Sequence, residues 1–157
     1  MKPKFIADVN VGKLARWLRI MGYDTLFFRD GEDEELVKIA MKEDRILLTK
    51  DTGFLRRKEF FNGELKVLLL KDDDFKKQLL YVVKSLDLKD FSPFSLCIEC
   101  NESLVEKRKE EVKGLVPPYV YRTQDKYMMC PSCGRVYWRG THWERMRREL
   151  EDILRER

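Results

Sequence analysis

The chain is poor in amide side chains: Gln78, Gln124, Asn10, Asn62 and Asn101 account for all of them in 157 residues. Lysine, arginine and glutamate take the polar positions instead, a bias typical of hyperthermophile proteins. No apolar run approaches the roughly 18–20 residues of a membrane span, which argues against a membrane-spanning helix. The start, Met1-Lys2-Pro3-Lys4-Phe5, lacks the long apolar stretch and small-residue cleavage site of a signal peptide, so a cytoplasmic location is expected. No internal repeat and no low-complexity segment is present. The net charge of +4 is small against 32 basic and 28 acidic side chains. So weak an excess neither demands nor excludes nucleic acid, and the distribution of charge matters more than its sum.

What is present first is an alternation of strand and helix signals. Phe5-Ile6-Ala7 is a short apolar run that ends at Asp8. Leu14, Trp17, Leu18 and Met21 then recur at helical spacing, and Gly22 suits the C-terminal cap. Thr25 to Phe28, Ile46 to Leu48 and Val67 to Leu70 are further strand candidates. Helical patterns follow Asp33, in Leu36, Ile39 and Ala40, and run from Phe75 to Leu86. Strands that alternate with helices imply right-handed crossovers and a mostly parallel sheet. Continuous apolar strands suit a sheet covered on both faces.

Near Asp90-Phe91-Ser92-Pro93 the texture changes. All four cysteines and four of the five prolines lie beyond residue 91. Two domains are therefore expected, residues 1–91 and 92–157. The second contains Cys97-Ile98-Glu99-Cys100 and Cys130-Pro131-Ser132-Cys133. Two C-x-x-C pairs on separate turns are the pattern of a structural tetrahedral zinc site. Gly134 permits the tight backbone of the second turn. Disulfides are the competing reading, which a cytoplasmic location disfavours. Four thiolates and one Zn²⁺ add about −2 and bring this part near neutrality.

Arg135, Arg139, Arg145, Arg147 and Arg148 cluster locally, with Tyr137, Trp138 and Trp143 among them. Arginine and aromatic side chains together suit phosphate contact and base stacking, and Arg139, Trp143, Arg145 and Arg148 are the candidates. The competing reading is a solvated helix face, since Met146, Leu150 and Ile153 form an apolar stripe. His142, the one histidine, is not needed as a zinc ligand and reads as structural or RNA-contacting.

Asp8 ends the first strand and Asp51 follows the third. In a parallel sheet the carboxyl ends of strands share one edge, with the ligand crevice outside it. Asp33, at a helix start, joins them if that end faces the same edge. Three acids repel each other unless a cation offsets them. Oxygen ligands suit Mg²⁺ or Mn²⁺, which can activate a water and stabilise the charge of phosphodiester cleavage. Helix caps and surface turns are the competing roles.

Seven stretches, in order, resemble the PIN-like nucleases. More closely they are similar to archaeal and bacterial proteins related to the C-terminal ribonuclease domain of the Mut-seven exonuclease. They are Phe5-Ile6-Ala7-Asp8-Val9-Asn10, residues 12–19 (GKLARWLR), Gly22-Tyr23-Asp24-Thr25, Asp33-Glu34-Glu35-Leu36, residues 45–51 (RILLTKD), residues 130–134 (CPSCG) and residues 137–143 (YWRGTHW). Singly they are weak; together they are specific. The resemblance implies a PIN-like α/β domain, its parallel sheet flanked by helices, followed by a small four-cysteine zinc ribbon with a C-terminal helix. It implies that the metal-binding acids fall on Asp8, Asp33 and Asp51, with Asn10 at a polar position beside the first. A fourth acid is common in such nucleases; Asp72, Asp73 and Asp74 are available, and Asp73 is preferred without a motif to select it.

The resulting expectation is a metal-dependent ribonuclease, an endonuclease for single-stranded or structured RNA. Lys13, Arg16, Lys50, Arg56 and Arg57 would hold flanking phosphates while the ribbon positions RNA. The alternative is a non-catalytic RNA- or ribosome-binding adaptor, because fold does not fix function. A toxin-like nuclease neutralised by a partner also stays open, as do contact with RNA-processing machinery and the oligomeric state.

Overall fold

A computed structural model describes residues 2–155. Strand β1 (Lys4–Ala7) leads through a 3-10 turn (Val9–Val11) into α1 (Gly12–Met21), β2 (Thr25–Phe27), α2 (Asp33–Lys42) and β3 (Arg45–Thr49). A second 3-10 turn (Thr52–Arg56) and the short α3 (Lys58–Phe61) precede β4 (Val67–Leu69) and α4 (Phe75–Leu86). The four strands form one parallel sheet in the order β2-β1-β3-β4. The chain steps from β1 to one side to make β2, then crosses back to the other side of β1 to make β3. The order therefore reverses between β1 and β3, and in such sheets ligands bind outside the carboxyl ends of the strands at that reversal.

Side-chain alternation along the strands fills both faces of the sheet. Phe5, Ala7 and Leu48 point into a core with Leu14, Trp17 and Leu18 of α1 and Leu79, Val82 and Val83 of α4. Ile6 and Leu47 point the other way, against Leu36, Val37 and Ala40 of α2 and Phe54. The expected parallel sheet with helices on both faces is what forms. Gly22 ends α1 at φ 96°, and a Cβ there would lie 2.6 Å from the Ser92 carbonyl oxygen. Both the left-handed backbone and the close approach of the linking segment require glycine.

Beyond that segment, β5 (Val105–Lys107), β6 (Tyr127–Met129) and β7 (Val136–Tyr137) make a small antiparallel sheet in the order β5-β6-β7. Between β5 and β6, a 3-10 turn (Lys109–Val112) and α5 (Pro118–Thr123) bury Val112, Val116 and Val120 against Tyr127. The chain ends in α6 (Thr141–Arg155). Leu150 and Ile153 of α6 lie in the core shared by α1 and α4. The stripe of the last helix is thus buried against the parallel-sheet part rather than against the ribbon strands.

Candidate functional site

The carboxyl ends of β1 and β3 gather a chain of polar contacts. Asp8 accepts from the Val9 N–H through Oδ1 at 2.8 Å and from the Thr49 hydroxyl through Oδ2 at 2.8 Å. The same Thr49 oxygen accepts the Asp51 N–H at 3.0 Å. Thr49 is fully buried, so one hydroxyl ties the two strand ends together, donating to one aspartate side chain and accepting from the backbone of the other. Asn10 repeats the link from the side. Its Nδ2 lies 3.5 Å from Asp8 Oδ2, and its Oδ1 accepts the Lys50 N–H at 3.3 Å.

Asp51 is exposed, and its Oδ1 accepts the Gly53 N–H at 2.8 Å, capping the following 3-10 turn. Among the described residues no donor reaches its Oδ2. Asp8 and Asp51 therefore each cap a turn and each sit at a strand end. Asp33 opens α2, exposed and without a side-chain hydrogen bond among the described residues. Because α2 follows β2, its start lies on the same edge of the sheet. The three carboxylates are not drawn together: among the described residues, the four cysteines are the group of potential ligands whose donor atoms all lie within 4.8 Å of one another. Asp8, Asp51 and the start of α2 thus share one edge of the sheet without forming a tight three-carboxylate cluster. In the acidic run after β4, Asp72 accepts the Asp74 N–H and Asp74 caps α4 through the Lys76 N–H. That leaves Asp73, which pairs with Lys50.

Most of the cations expected to hold phosphates already have partners. Arg16 pairs with Glu99 at 2.6 Å and holds its carboxyl below the usual range. Arg57 pairs with Glu34 and lies 3.5 Å from Glu59. Lys13 Nζ lies 4.4 Å from the centre of the Phe75 ring. Arg56 is exposed and unpaired among the described residues. Exposed ion pairs are worth little and exchange readily with a phosphate. A groove of about 600 Å³ runs between α1 and the first cysteine turn, lined by Lys13, Arg16, Arg19, Phe27, Arg29 and Glu99.

The cysteine cluster forms at two equivalent turns. In the first, the Asn101 N–H bonds the Cys97 carbonyl at 2.8 Å; in the second, the Gly134 N–H bonds the Cys130 carbonyl at 2.9 Å. Asn101 and Gly134 occupy the same place after their pairs and share a left-handed backbone, at φ 64° and 78°. Cys97 Sγ and Cys133 Sγ are 3.7 Å apart, close to the roughly 3.8 Å edge of a sulfur tetrahedron built on Zn–S bonds of about 2.3 Å. The four residues can hold a zinc ion. Backbone and side-chain contacts from Arg135 draw Cys133 down to about 6, while its bond to Cys133 pushes Cys100 up to about 12. The Tyr137 hydroxyl lies 3.2 Å from Cys97 Sγ and accepts the Ile98 N–H, an outer-shell contact that orients the sulfur.

The first cysteine turn is fastened to the parallel-sheet part. Arg19 donates to the carbonyls of Ile98, Glu99 and Thr25. Asn101 accepts the Thr25 N–H at 2.9 Å and donates to Asp24 at 2.6 Å. Burial alone would raise the Asp24 carboxyl, but bonds from Arg45 and Asn101 outweigh it and hold the group below its usual range. Trp143 stacks on Phe94 at 5.5 Å, with the Arg139 and Arg147 guanidinia 5.1 and 5.8 Å from its ring. Arg139, Arg145 and Arg148 line another groove, of about 510 Å³, at the start of α6.

Thr49, Arg19 and Asn101 were not singled out from sequence. A polar residue ending the apolar run before Lys50-Asp51 could have flagged Thr49. Aligning Asn101 with Gly134 behind the two C-x-x-C pairs could have flagged Asn101.

Comparison with protein families gives a match to the Mut7-C RNAse domain over residues 3–150. No curated protein and no solved structure matches the chain.

Proposed function

Because this chain belongs to the Mut7-C RNAse domain family, we propose that it is a metal-dependent ribonuclease, acting as an endonuclease on single-stranded or structured RNA. The observation that carries this reading is the tie between Asp8 and Asp51 through Thr49, at the point where strand order reverses. Asp8 and Asp51 are the ligands for Mg²⁺ or Mn²⁺, and Asp33 completes the set from the start of α2. Three carboxylates on one edge repel each other, and a cation offsets that repulsion. A bound divalent cation supplies a more acidic water and offsets the charge that develops at phosphorus.

The chain's own residues do the rest. Thr49 and Asn10 fix the direction of the Asp8 carboxylate. Lys50, released from Asp73, and Arg56 hold phosphates beside the crevice, with Lys13 and Arg16 on its other side. Asp73 is the candidate fourth acid, placed to keep Lys50 at the crevice. Zinc held by Cys97, Cys100, Cys130 and Cys133 is structural, and the ribbon it supports positions RNA for cleavage. Reduced thiols fit a cytoplasmic protein, and RNA-processing machinery or the ribosome is the setting in which such RNA would be met.

The turn-capping bonds of Asp8 and Asp51, and the lack of a tight three-carboxylate cluster among the described residues, favour a second reading: an RNA- or ribosome-binding adaptor without catalysis. Cleavage of end-labelled RNA with added Mg²⁺ or Mn²⁺ separates the two. Asp51→Asn keeps the shape of the side chain and removes a charge, so it should abolish most cleavage and leave zinc content intact. Activity that survives both Asp8→Asn and Asp51→Asn would sink the nuclease assignment.

A further inference from the structure

A pocket of about 280 Å³ lies between α1, the cysteine turns and the start of α6. Its walls include Trp138, His142, Trp143, Arg16 and Glu99. At this size it is at the small end of ligand pockets. Two cationic grooves adjoin it. It shares Arg16, Ile98 and Glu99 with the groove that carries Lys13 and Arg29. It shares Gly140 with the groove that carries Arg139, Arg145 and Arg148. The first of these grooves reaches Phe27, the register partner of Ala7 beside Asp8.

We propose that this pocket receives an unpaired nucleobase, so that a single RNA strand runs from the Arg139, Arg145 and Arg148 groove, past Trp138, to the groove beside Asp8. The proposal rests on the reading that RNA is the ligand of this chain. Three observations carry it. The order cationic groove, aromatic pocket, cationic groove matches the alternation of phosphate and base along a strand. The acid in the pocket, Glu99, is neutralised by Arg16, so the path carries no net repulsion for phosphate there. The guanidinia at the α6 end are also available. Arg147 is held by Glu144 and Glu151, whereas Arg145 and Arg148 have no acidic partner among the described residues.

The stacking surface is Trp138 rather than Trp143. Phe94 and two arginines already occupy the Trp143 ring. Trp138 is half-buried, its indole placed so close to Gly140 that a Cβ there would lie 2.8 Å from its Nε1. Gly140 thus leaves room for an indole that packs against the core of Val112, Val116, Val120 and Tyr127. Exposed His142 stands beside it, with one donor and one acceptor nitrogen for a base edge when neutral. A base can enter such a pocket only after leaving its stack, so a duplex is disfavoured.

The test is binding, measured on the full zinc-loaded chain by fluorescence anisotropy, with short 2′-O-methyl strands that resist cleavage. A base-bearing single strand should bind about tenfold tighter than an abasic strand of equal length, and tighter than a duplex. Trp138→Leu should remove that advantage and leave abasic binding unchanged; Trp138→Phe should restore most of it. His142→Ala, at an exposed position, gives a smaller loss of the same kind should Trp138→Leu fail to fold. Equal binding of base-bearing and abasic strands by the unsubstituted chain, or no binding to either, overturns the proposal. Neither outcome depends on whether the chain cleaves RNA, so this inference and the nuclease reading fail separately.

Discussion

The Arg19 guanidinium donates to the Ile98 carbonyl oxygen at 2.7 Å, so a core helix of the parallel-sheet part grips the backbone between the first two cysteines. The same guanidinium reaches Glu99 and Thr25. Burial pulls the Arg19 pKa down, and the charges of Cys97 and Glu99 counter it. With α6 lodged in the core of α1 and α4, the chain segment after residue 91 is held to the first at both of its ends. The ribbon is therefore placed, and not only tethered, against the end of α1 and the start of β2, across the sheet from the edge that carries Asp8.

Asn101 is where that placement is most exposed to test. It holds a left-handed backbone, accepts from Thr25 and donates to Asp24. Asn101→Gly keeps the backbone freedom and removes both bonds. It should cost about 1–3 kcal/mol in urea unfolding, from two hydrogen bonds at roughly 0.5–1.5 kcal/mol each. Asn101→Ala should cost more, because alanine also resists positive φ. Equal effects of the two variants would remove the backbone part of this account.

Acid should loosen the same junction. The Asp24 and Glu99 carboxyls are both held below their usual range in the folded chain, so their contribution is fully present above the ordinary carboxylate pKa of about 3.9–4.3. It is lost as pH falls through the lower folded values. Stability should therefore drop below about pH 4, and Asp24→Asn should flatten part of that drop. Urea unfolding midpoints measured from neutral pH to pH 3 decide this; an unchanged slope in the variant counts against it.

Zinc removal should act unevenly. Bound metal contributes folding free energy to the turns that hold it, whereas the parallel sheet has apolar cores on both faces. Cys130→Ser should abolish zinc binding by elemental analysis and expose the amides of β6 and β7 to hydrogen exchange. The amides of β1 and β3 should stay protected. Loss of protection in all four strands at once would mean that the two parts unfold together.

Much of this arrangement was legible because parallel strands covered on both faces read as short apolar runs, as in Phe5-Ile6-Ala7 and Ile46-Leu47-Leu48. A carboxylate placed just after such a run falls on the shared edge, which located Asp8 and Asp51. Two C-x-x-C pairs located the cysteine cluster for an equally local reason. The destination of α6 was not legible. The stripe of Met146, Leu150 and Ile153 says that one face is covered but carries no record of the surface that covers it. The stacking of Trp143 on Phe94 of the linking segment was not legible either, because no local pattern joins the two. The tie at Thr49 was hidden for the same reason: a threonine at a strand end is ordinary in sequence, and its Asp8 partner is 41 positions away.

The arginines of α6 that have no acidic partner among the described residues should dominate the salt dependence of RNA binding. Arg145→Ala combined with Arg148→Ala removes two phosphate contacts and should lower the slope of log K against log salt by about 1.4 on a single strand. Arg147→Ala is the control, since Glu144 and Glu151 already hold that side chain. Equal slopes in all three proteins would return Arg145 and Arg148 to a solvated helix face.

Thr49→Val tests the crevice with the least change of shape. Valine matches threonine in volume and suits a strand, and the site is fully buried, so packing should survive. What disappears is one hydroxyl that donates to Asp8 Oδ2 and accepts the Asp51 N–H. Leaving that N–H short of a partner should cost about 1–3 kcal/mol of stability, while zinc content and the parallel sheet stay as they are. Under the nuclease reading the loss of orientation at Asp8 matters more than the loss of stability. A misplaced reacting group costs on the order of 100-fold in rate, so RNA cleavage should fall by at least tenfold at saturating Mn²⁺. Thr49→Ser restores the hydroxyl without the methyl group. It should recover most of the cleavage while remaining somewhat less stable, a split that a purely structural threonine would not produce. Cleavage by Thr49→Val at the rate of the unsubstituted chain would show that the tie between the two strand ends serves the fold alone.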